Sequence, residues 1–342
     1  MLTINMLTRA DSVKGQGVMS ATEEQINLVT EGLKGYKVVV NQLKIADINH
    51  IHTINPDFLF KSFLNNKKQP TIASVHFLPE TLEKSISLPK PIKELFYKYV
   101  LSFYKQADYL VTVNPRFIDD LEHYGVDRSK VTYIPNFVNK EKWHPLPADQ
   151  VAKLRQEMDL AEDQFVVVGA GQVQKRKGID DFIRLAEELP EITFIWAGGF
   201  SFGGMTDGYE RYKKIMDNPP KNLIFPGIVP PERMRELYAL ADLFLLPSYN
   251  ELFPMTILEA ASCEAPIMLR DLDLYKVILE GNYRATSDVS EMREAILEYK
   301  NHPEKLKDLK EKTREISKEY SEEHLLEIWL KFYQEQAALG KK

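Results

Sequence analysis

Two carboxylates, Glu251 and Glu259, stand with seven residues between them in the stretch Pro-Ser-Tyr-Asn-Glu-Leu-Phe-Pro-Met-Thr-Ile-Leu-Glu-Ala-Ala-Ser-Cys-Glu-Ala-Pro, residues 247–266. Pro254 suits the first turn of a helix, where its missing N–H costs nothing. The spacing therefore predicts Glu251 in a loop and Glu259 about a turn and a half inside a helix. An ionised carboxylate only accepts hydrogen bonds, and it takes two from a diol. The unpaired N–H groups of a helix start, here those of Phe253 and Met255, suit an anion or a sugar hydroxyl. Taken alone, the pair also fits a surface glutamate followed by an ordinary amphipathic helix.

A second candidate is the turn Gly171-Gln-Val-Gln-Lys-Arg-Lys-Gly178, with three successive cations between glycines. It suits a phosphate, and by itself it also suits solvent. A third is Lys14-Gly-Gln-Gly-Val18, where Gly15 and Gly17 let backbone N–H groups approach an anion closely. Two glycines are weak evidence alone. His76 closes an apolar run, a place where a lone histidine is usually structural; His50 and His52 lie on the preceding run.

These residues need a scaffold of some size. The chain has 342 residues, enough for two domains, with 44% apolar and 27% charged residues, as in ordinary globular proteins. Short apolar runs at residues 2–7, 37–41, 48–53, 71–76, 109–113 and 131–134 alternate with helical patterns such as 20–33 and 92–106. After a polar, proline-bearing stretch at 136–149 the pattern restarts, with strand candidates at 165–170, 192–197, 222–225, 241–247 and 266–269, and a charged helical tail. This predicts an α/β protein of two doubly wound parallel sheets, with ligands at the carboxyl ends of the strands in the cleft between them. We place the domains at 1–145 and 146–320, with a final helix at 321–342 returning to the first.

One cysteine, Cys263, excludes an internal disulfide and points to an intracellular protein. The amino terminus lacks the basic start and long apolar core of a signal peptide, and no run reaches the roughly 18 apolar residues of a membrane span. The net charge of −6 argues against nucleic-acid binding, although residues 1–145 carry +3 and the remainder −9. No zinc-spaced cluster is present, and Asp271-Leu-Asp273 reads as a solvated turn, so no metal is expected.

The order Pro-Ser, Asn-Glu, Phe-Pro, Leu-Glu-Ala, Ala-Pro resembles the donor-site signature of the family 4 retaining glycosyltransferases of GT-B fold. Arg233-Met-Arg-Glu-Leu-Tyr-Ala-Leu-Ala-Asp242 looks like the helix leading into it, and the resemblance runs through nearly the whole chain. It implies that Glu259 accepts the ribose hydroxyls of a nucleotide sugar and that Glu251 contacts the hydroxyls of the donor hexose. Phe253, Pro254 and Met255 complete that donor wall. The turn would hold the diphosphate through Lys177. Gln172 replaces the family arginine, and Arg176 is the candidate substitute. The glycine loop would meet the donor phosphate, and His76 matches the histidine near the reacting sugar carbon. Leu252 and Glu264 stand where the family has glycines. Cofactors would be absent, UDP-glucose or UDP-galactose being the donor substrate.

Residues 81–108 carry a basic, aromatic helix. Helical spacing puts Ile92, Leu95, Phe96, Tyr99, Val100 and Phe103 on one face, expected to be core. Tyr97, Leu101 and Tyr104 form a second stripe flanked by Lys90, Lys93, Lys98 and Lys105, with Lys84 further upstream. That stripe fits an anionic membrane surface, each lysine adding about 1 kcal/mol near the lipid; burial of both faces by neighbouring loops is the competing account. The region resembles bacterial glycolipid synthases that add a second hexose to monoglucosyl-diacylglycerol. That resemblance implies a hexosyltransferase acting on a glycolipid acceptor at the inner face of the cell membrane. A soluble transferase for a polysaccharide or small molecule, or a nucleotide-sugar sensor without catalysis, are the other classes compatible with these residues.

Overall fold

The computed structural model describes residues 1–9, 17–42, 46–58, 69–79, 81, 89–200, 203, 206 and 208–339. The chain forms two compact units, one of Met1–Phe137 with Glu322–Lys342 and one of Val138–Ser321.

In the first unit, strands β1 (Leu2–Leu7), β2 (Tyr36–Val40), β3 (Ile48–Ile51), β4 (Thr71–Val75), β5 (Tyr109–Thr112) and β6 (Val131–Tyr133) form one sheet in the order β2-β1-β3-β4-β5-β6. All five pairings are parallel. Parallel strands are covered on both faces, and β3 and β4 are buried at every position, including Asn49, His50, Thr71 and Ser74. Helices α1 (Gly17–Gly32), α2 (Lys90–Gln106) and α3 (Arg116–His123) belong to this unit. So does the C-terminal helix, Glu322–Leu339, whose Leu325, Trp329, Phe332 and Tyr333 are buried in one cluster with Ile4, Met6, Val29, Ile48 and Ile72.

The second unit repeats the plan. Strands β7 (Val166–Ala170), β8 (Thr193–Ala197), β9 (Leu223–Gly227), β10 (Leu243–Leu246), β11 (Ile267–Arg270) and β12 (Arg284–Thr286) are ordered β12-β11-β10-β7-β8-β9, again all parallel. The helices are α4 (Ala148–Glu157), α5 (Ile179–Glu188), α6 (Tyr209–Asp217), α7 (Pro231–Leu240), α8 (Met255–Ser262), α9 (Asp273–Ile278), α10 (Val289–Asn301) and α11 (Lys305–Glu319), and the C-terminal helix is α12. The polar stretch after residue 137 packs with this unit: Trp143 is buried edge-on against Tyr238 of α7, 5.8 Å between ring centres. An indole seeks cover, which draws the connection into the second core.

Helix α2 departs from its expected facing. Val100 and Phe103 are buried, but Ile92 and Leu95 are 54% and 70% exposed, and Phe96 and Tyr99 are half-buried. Tyr104, assigned above to the membrane stripe, is buried, and its hydroxyl donates to the Phe77 carbonyl at 3.0 Å. A tyrosine goes inside when its one polar atom finds an acceptor. Periodicity finds two apolar stripes and does not say which meets the core. Tyr97 and Leu101 are half-buried, while Lys90, Lys98 and Lys105 are exposed. The Lys93 ammonium lies 5.6 Å from the centre of the Tyr97 ring. Lys84 is outside the described residues.

Among the described residues no helix is long and apolar enough to cross a membrane. Glu264, standing at a family glycine, has φ +59°, the left-handed region that favours glycine. Its carboxylate accepts from Arg314 at 2.8 Å and pairs with Lys310 at 3.4 Å. These contacts offset the roughly 1–2 kcal/mol of a left-handed side-chain residue.

Candidate functional site

In a doubly wound sheet, ligands bind where the strand order reverses, at the carboxyl ends of the two strands on either side. In the second unit that point lies between β7 and β10. The basic turn follows β7, and the Glu251 loop follows β10. Topology therefore brings together two segments more than 70 residues apart in sequence. The Lys177 ammonium donates to both oxygens of Glu251, at 2.6 and 2.8 Å. The pair is largely shielded, its side chains 12% and 4% exposed. Burial lowers the Lys177 pKa, partly countered by the Glu251 charge and reinforced by Arg176. The cation and the acid assigned to diphosphate and hexose thus hold each other.

Backbone contacts lock the two arms. Tyr249 N–H donates to the Arg176 carbonyl at 2.8 Å. Gly178, with φ +73°, closes the turn so tightly that a Cβ there would lie 2.2 Å from the Pro247 carbonyl oxygen. Only glycine permits that approach. Arg176 donates through Nε to Gln174 at 3.0 Å, and Gln172 is half-buried in the same turn.

Pro254 is the residue before α8, one position earlier than the sequence placed it, and Met255 opens the helix. Phe253 is buried edge-on against Tyr320 at 5.6 Å. Glu259 lies in the second turn of α8 and accepts from the Tyr238 hydroxyl at 2.9 Å. It keeps some exposed surface, yet the protein packed around it raises its carboxyl to about 7, a shift moderated by the Tyr238 hydrogen bond and by Lys142. Cys263 is buried at the end of α8, as a small apolar group would be. Asp271 and Asp273 both pair with Lys276 at 3.3 Å.

In the first unit His76 follows β4 and lines a small cavity of about 20 Å³ with Gln25, Ser74, Asn136, Phe137 and Trp329. Its Nε2 is buried with no hydrogen-bond partner among the described residues, and burial lowers its pKa to about 4. His50 and His52, on and just after β3, stack at 4.2 Å. They belong to a hydrogen-bonded chain whose direction is set by its end. His52 Nε2 lies 3.4 Å from the Met6 sulfur, which only accepts. His52 Nδ1 therefore accepts from the Ser74 hydroxyl at 3.3 Å, and Ser74 accepts from His50 Nε2–H at 3.0 Å. His50 Nδ1 accepts from the Tyr333 hydroxyl of α12 at 2.7 Å. Both rings are neutral in this arrangement. Burial first, and the charges of neighbouring histidines second, lower His50 to about 3 and hold His52 well below its usual value. Gly17 opens α1, and Gly15 lies outside the described residues.

Sequence reasoning missed Tyr238 as the partner of Glu259, and Arg270, which is buried at the end of β11. Tyr238 was visible only as one apolar position in its helix.

Comparison with known proteins covers both units. The model described as "Glycosyl transferases group 1" matches residues 150–316, and that of "Glycosyltransferase Family 4" matches residues 32–142. An alpha-galactosylglucosyldiacylglycerol synthase of Streptococcus pneumoniae is 67% identical over 342 residues, covering 100% of this chain and 91% of that protein. A processive diacylglycerol alpha-glucosyltransferase of Acholeplasma laidlawii is 31% identical over 229 residues, 67% of each chain. Among solved structures, Anabaena HepE in complex with UDP and glucose superposes with a TM-score of 0.76 at 16% identity, covering 98% of this chain and 100% of that one. Sucrose-phosphate synthase of Thermosynechococcus elongatus gives 0.80 at 14% identity, covering 99% and 100%. At these identities the structural likeness speaks for the fold.

Proposed function

Since the chain belongs to the family 4 glycosyltransferases of GT-B fold, among the bacterial glycolipid synthases, we propose that it is a retaining α-hexosyltransferase that moves galactose from UDP-galactose to monoglucosyl-diacylglycerol. The observation that carries this reading is the 67% identity, along the whole chain, to a synthase whose name places a galactosyl unit on glucosyl-diacylglycerol.

The residues supply a chemistry for it. The bond between C1 of the hexose and the diphosphate oxygen breaks, and a bond from C1 to the acceptor hydroxyl forms on the same face. The departing diphosphate takes the acceptor's proton. Negative charge grows on that diphosphate, and Lys177 and Arg176 in the turn after β7 are the cations to meet it. Glu259 accepts the ribose hydroxyls, and Glu251 accepts from the hexose once Lys177 turns toward phosphate. His76, neutral at working pH, offers its unpaired Nε2 to a sugar hydroxyl. Incubation with radiolabelled UDP-galactose or UDP-glucose and monoglucosyl-diacylglycerol in mixed micelles tests the reading. A labelled diglycosyl lipid from UDP-galactose is expected; no labelled product from either donor overturns it.

The acceptor is a lipid, and the reading therefore includes peripheral docking at the cytoplasmic face of the membrane. Support comes from the first turns of α2, where Ile92 and Leu95 stand exposed beside Lys90 and Lys98. Burying each apolar side chain contributes about 1.5–3 kcal/mol, and each lysine about 1 kcal/mol near anionic lipid. Replacing both Ile92 and Leu95 by serine is expected to lower partition into phosphatidylglycerol vesicles at least tenfold in a co-sedimentation assay. Unchanged partition at low salt, or equal binding to neutral vesicles, removes this surface from the reading.

A further inference from the structure

We propose that Arg270 is a positioning residue for the donor site: it holds the Glu251 loop and the Lys177 turn in register without reaching the donor itself. The proposal rests on the assignment of Lys177 and Glu251 as donor anchors and extends it to a residue outside the site.

Arg270 is the last residue of β11, the neighbour of β10, and is 8% exposed. An arginine placed there must use its donors, and this one does. Nε donates to the Pro247 carbonyl at 3.0 Å, capturing the chain where β10 becomes the Glu251 loop. One terminal nitrogen donates to the Ser287 carbonyl at 2.9 Å, and the other donates to Asp181 in the first turn of α5. The guanidinium lies under the Tyr249 ring, 4.1 Å from its centre, and the Tyr249 hydroxyl donates to the same Asp181 carboxylate at 2.7 Å.

Four partners of one planar group thus come from three places. Pro247 and Tyr249 begin the loop that carries Glu251. Asp181 belongs to the helix that starts just after the Lys177 turn. Ser287 follows the edge strand β12. The two arms also meet directly, through the Lys177–Glu251 pair, through Tyr249 N–H to the Arg176 carbonyl at 2.8 Å and through the Ser248 hydroxyl to the Lys177 carbonyl at 3.5 Å. The guanidinium adds a buried tie to both, through the Pro247 carbonyl and the Tyr249 ring on one side and the Asp181 carboxylate on the other. Its rigid fork and flat face perform two tasks together, bonding at the edge and stacking on the ring, and a lysine cannot do both. A displacement of about 1 Å at reacting groups costs on the order of 100-fold in rate.

The test compares wild type with Arg270→Lys, Arg270→Ala and Tyr249→Phe, measuring kcat, the KM for UDP-galactose, the KM for monoglucosyl-diacylglycerol and the Kd for UDP. A variant that merely unfolds in part scales kcat and leaves both KM values and the Kd unchanged. A positioning role raises the donor KM and the UDP Kd together, on the order of tenfold for Arg270→Lys, lowers kcat on the order of 100-fold for Arg270→Ala, and leaves the acceptor KM within twofold. Ethylguanidinium added to Arg270→Ala is expected to restore part of the donor affinity. Should Arg270→Ala not fold, Tyr249→Phe decides: this side chain is 52% exposed and loses only its hydroxyl, and a threefold or larger rise in donor KM supports the proposal. Donor KM and UDP Kd within twofold of wild type in Arg270→Lys and Tyr249→Phe overturn it. A wild-type enzyme that binds no UDP and makes no product would instead defeat the underlying donor assignment.

Discussion

Replacing Lys177 with methionine is expected to lower the rate of glycosyl transfer by about 10²–10³-fold, the usual cost of removing one preorganised donor from developing negative charge. The same change leaves the Glu251 carboxylate buried and uncompensated, which costs roughly 3–5 kcal/mol. For a unit of this size that lowers the thermal midpoint by on the order of 10 °C. The two losses separate in a double variant. Adding Glu251→Gln removes the stranded charge, so calorimetry should show most of the midpoint restored while labelled-lipid assays stay at or below the Lys177→Met rate, because Glu251 also contacts the hexose. A single variant that keeps its rate within twofold of wild type would detach Lys177 from the diphosphate.

Donor affinity is expected to weaken as the pH falls through about 7, the value to which burial raises Glu259. The carboxylate accepts two ribose hydroxyls, whereas the protonated acid has one lone oxygen fully free for them. Well below 7 the KM for UDP-galactose should rise about tenfold per pH unit, with kcat changing less. The stability effect has the opposite sign. The folded carboxyl titrates above its unfolded value of 4.5, so this group favours the folded state most when protonated, and the contribution is lost as the pH rises through about 7. Binding a diol favours the ionised form, so UDP should displace a fraction of a proton near neutrality. Titration calorimetry in buffers of different ionisation enthalpy measures it. In Glu259→Gln the KM is raised throughout and its pH slope below 7 disappears; persistence of the slope would assign it to another group. His50 and His76 lie near 3 and 4, and His52 well below its usual value, so those three rings do not titrate in this window.

The parallel sheets were legible because strands covered on both faces need mostly apolar runs, and β1 appears in the sequence at its structural bounds. Strand β12 and helix α9 were not legible, having three and six residues and no full period to display. The donor signature named Glu251 and Glu259, and the resemblance of the basic turn named Lys177, but nothing in the local sequence says that Lys177 and Glu251 meet; that follows from the strand order. Arg270 was equally hidden, since an arginine at the end of an apolar run reads as the start of a surface turn. Helix α2 shows the opposite failure: its pattern was strong, and the pattern alone could not decide that Tyr104 enters the core while Leu95 faces outward.

The first unit is assembled from two distant pieces of chain. Its cluster around Ile4, Ile48 and Ile72 is completed by Trp329 and Tyr333, which a ribosome delivers only after every residue of the second unit has emerged. The second unit, being continuous, has its whole core on the nascent chain before the first unit has its own. Completion of the cores therefore runs against chain order, and a stop codon just before Glu322 would strip Trp329 and Tyr333 from the core of the first unit.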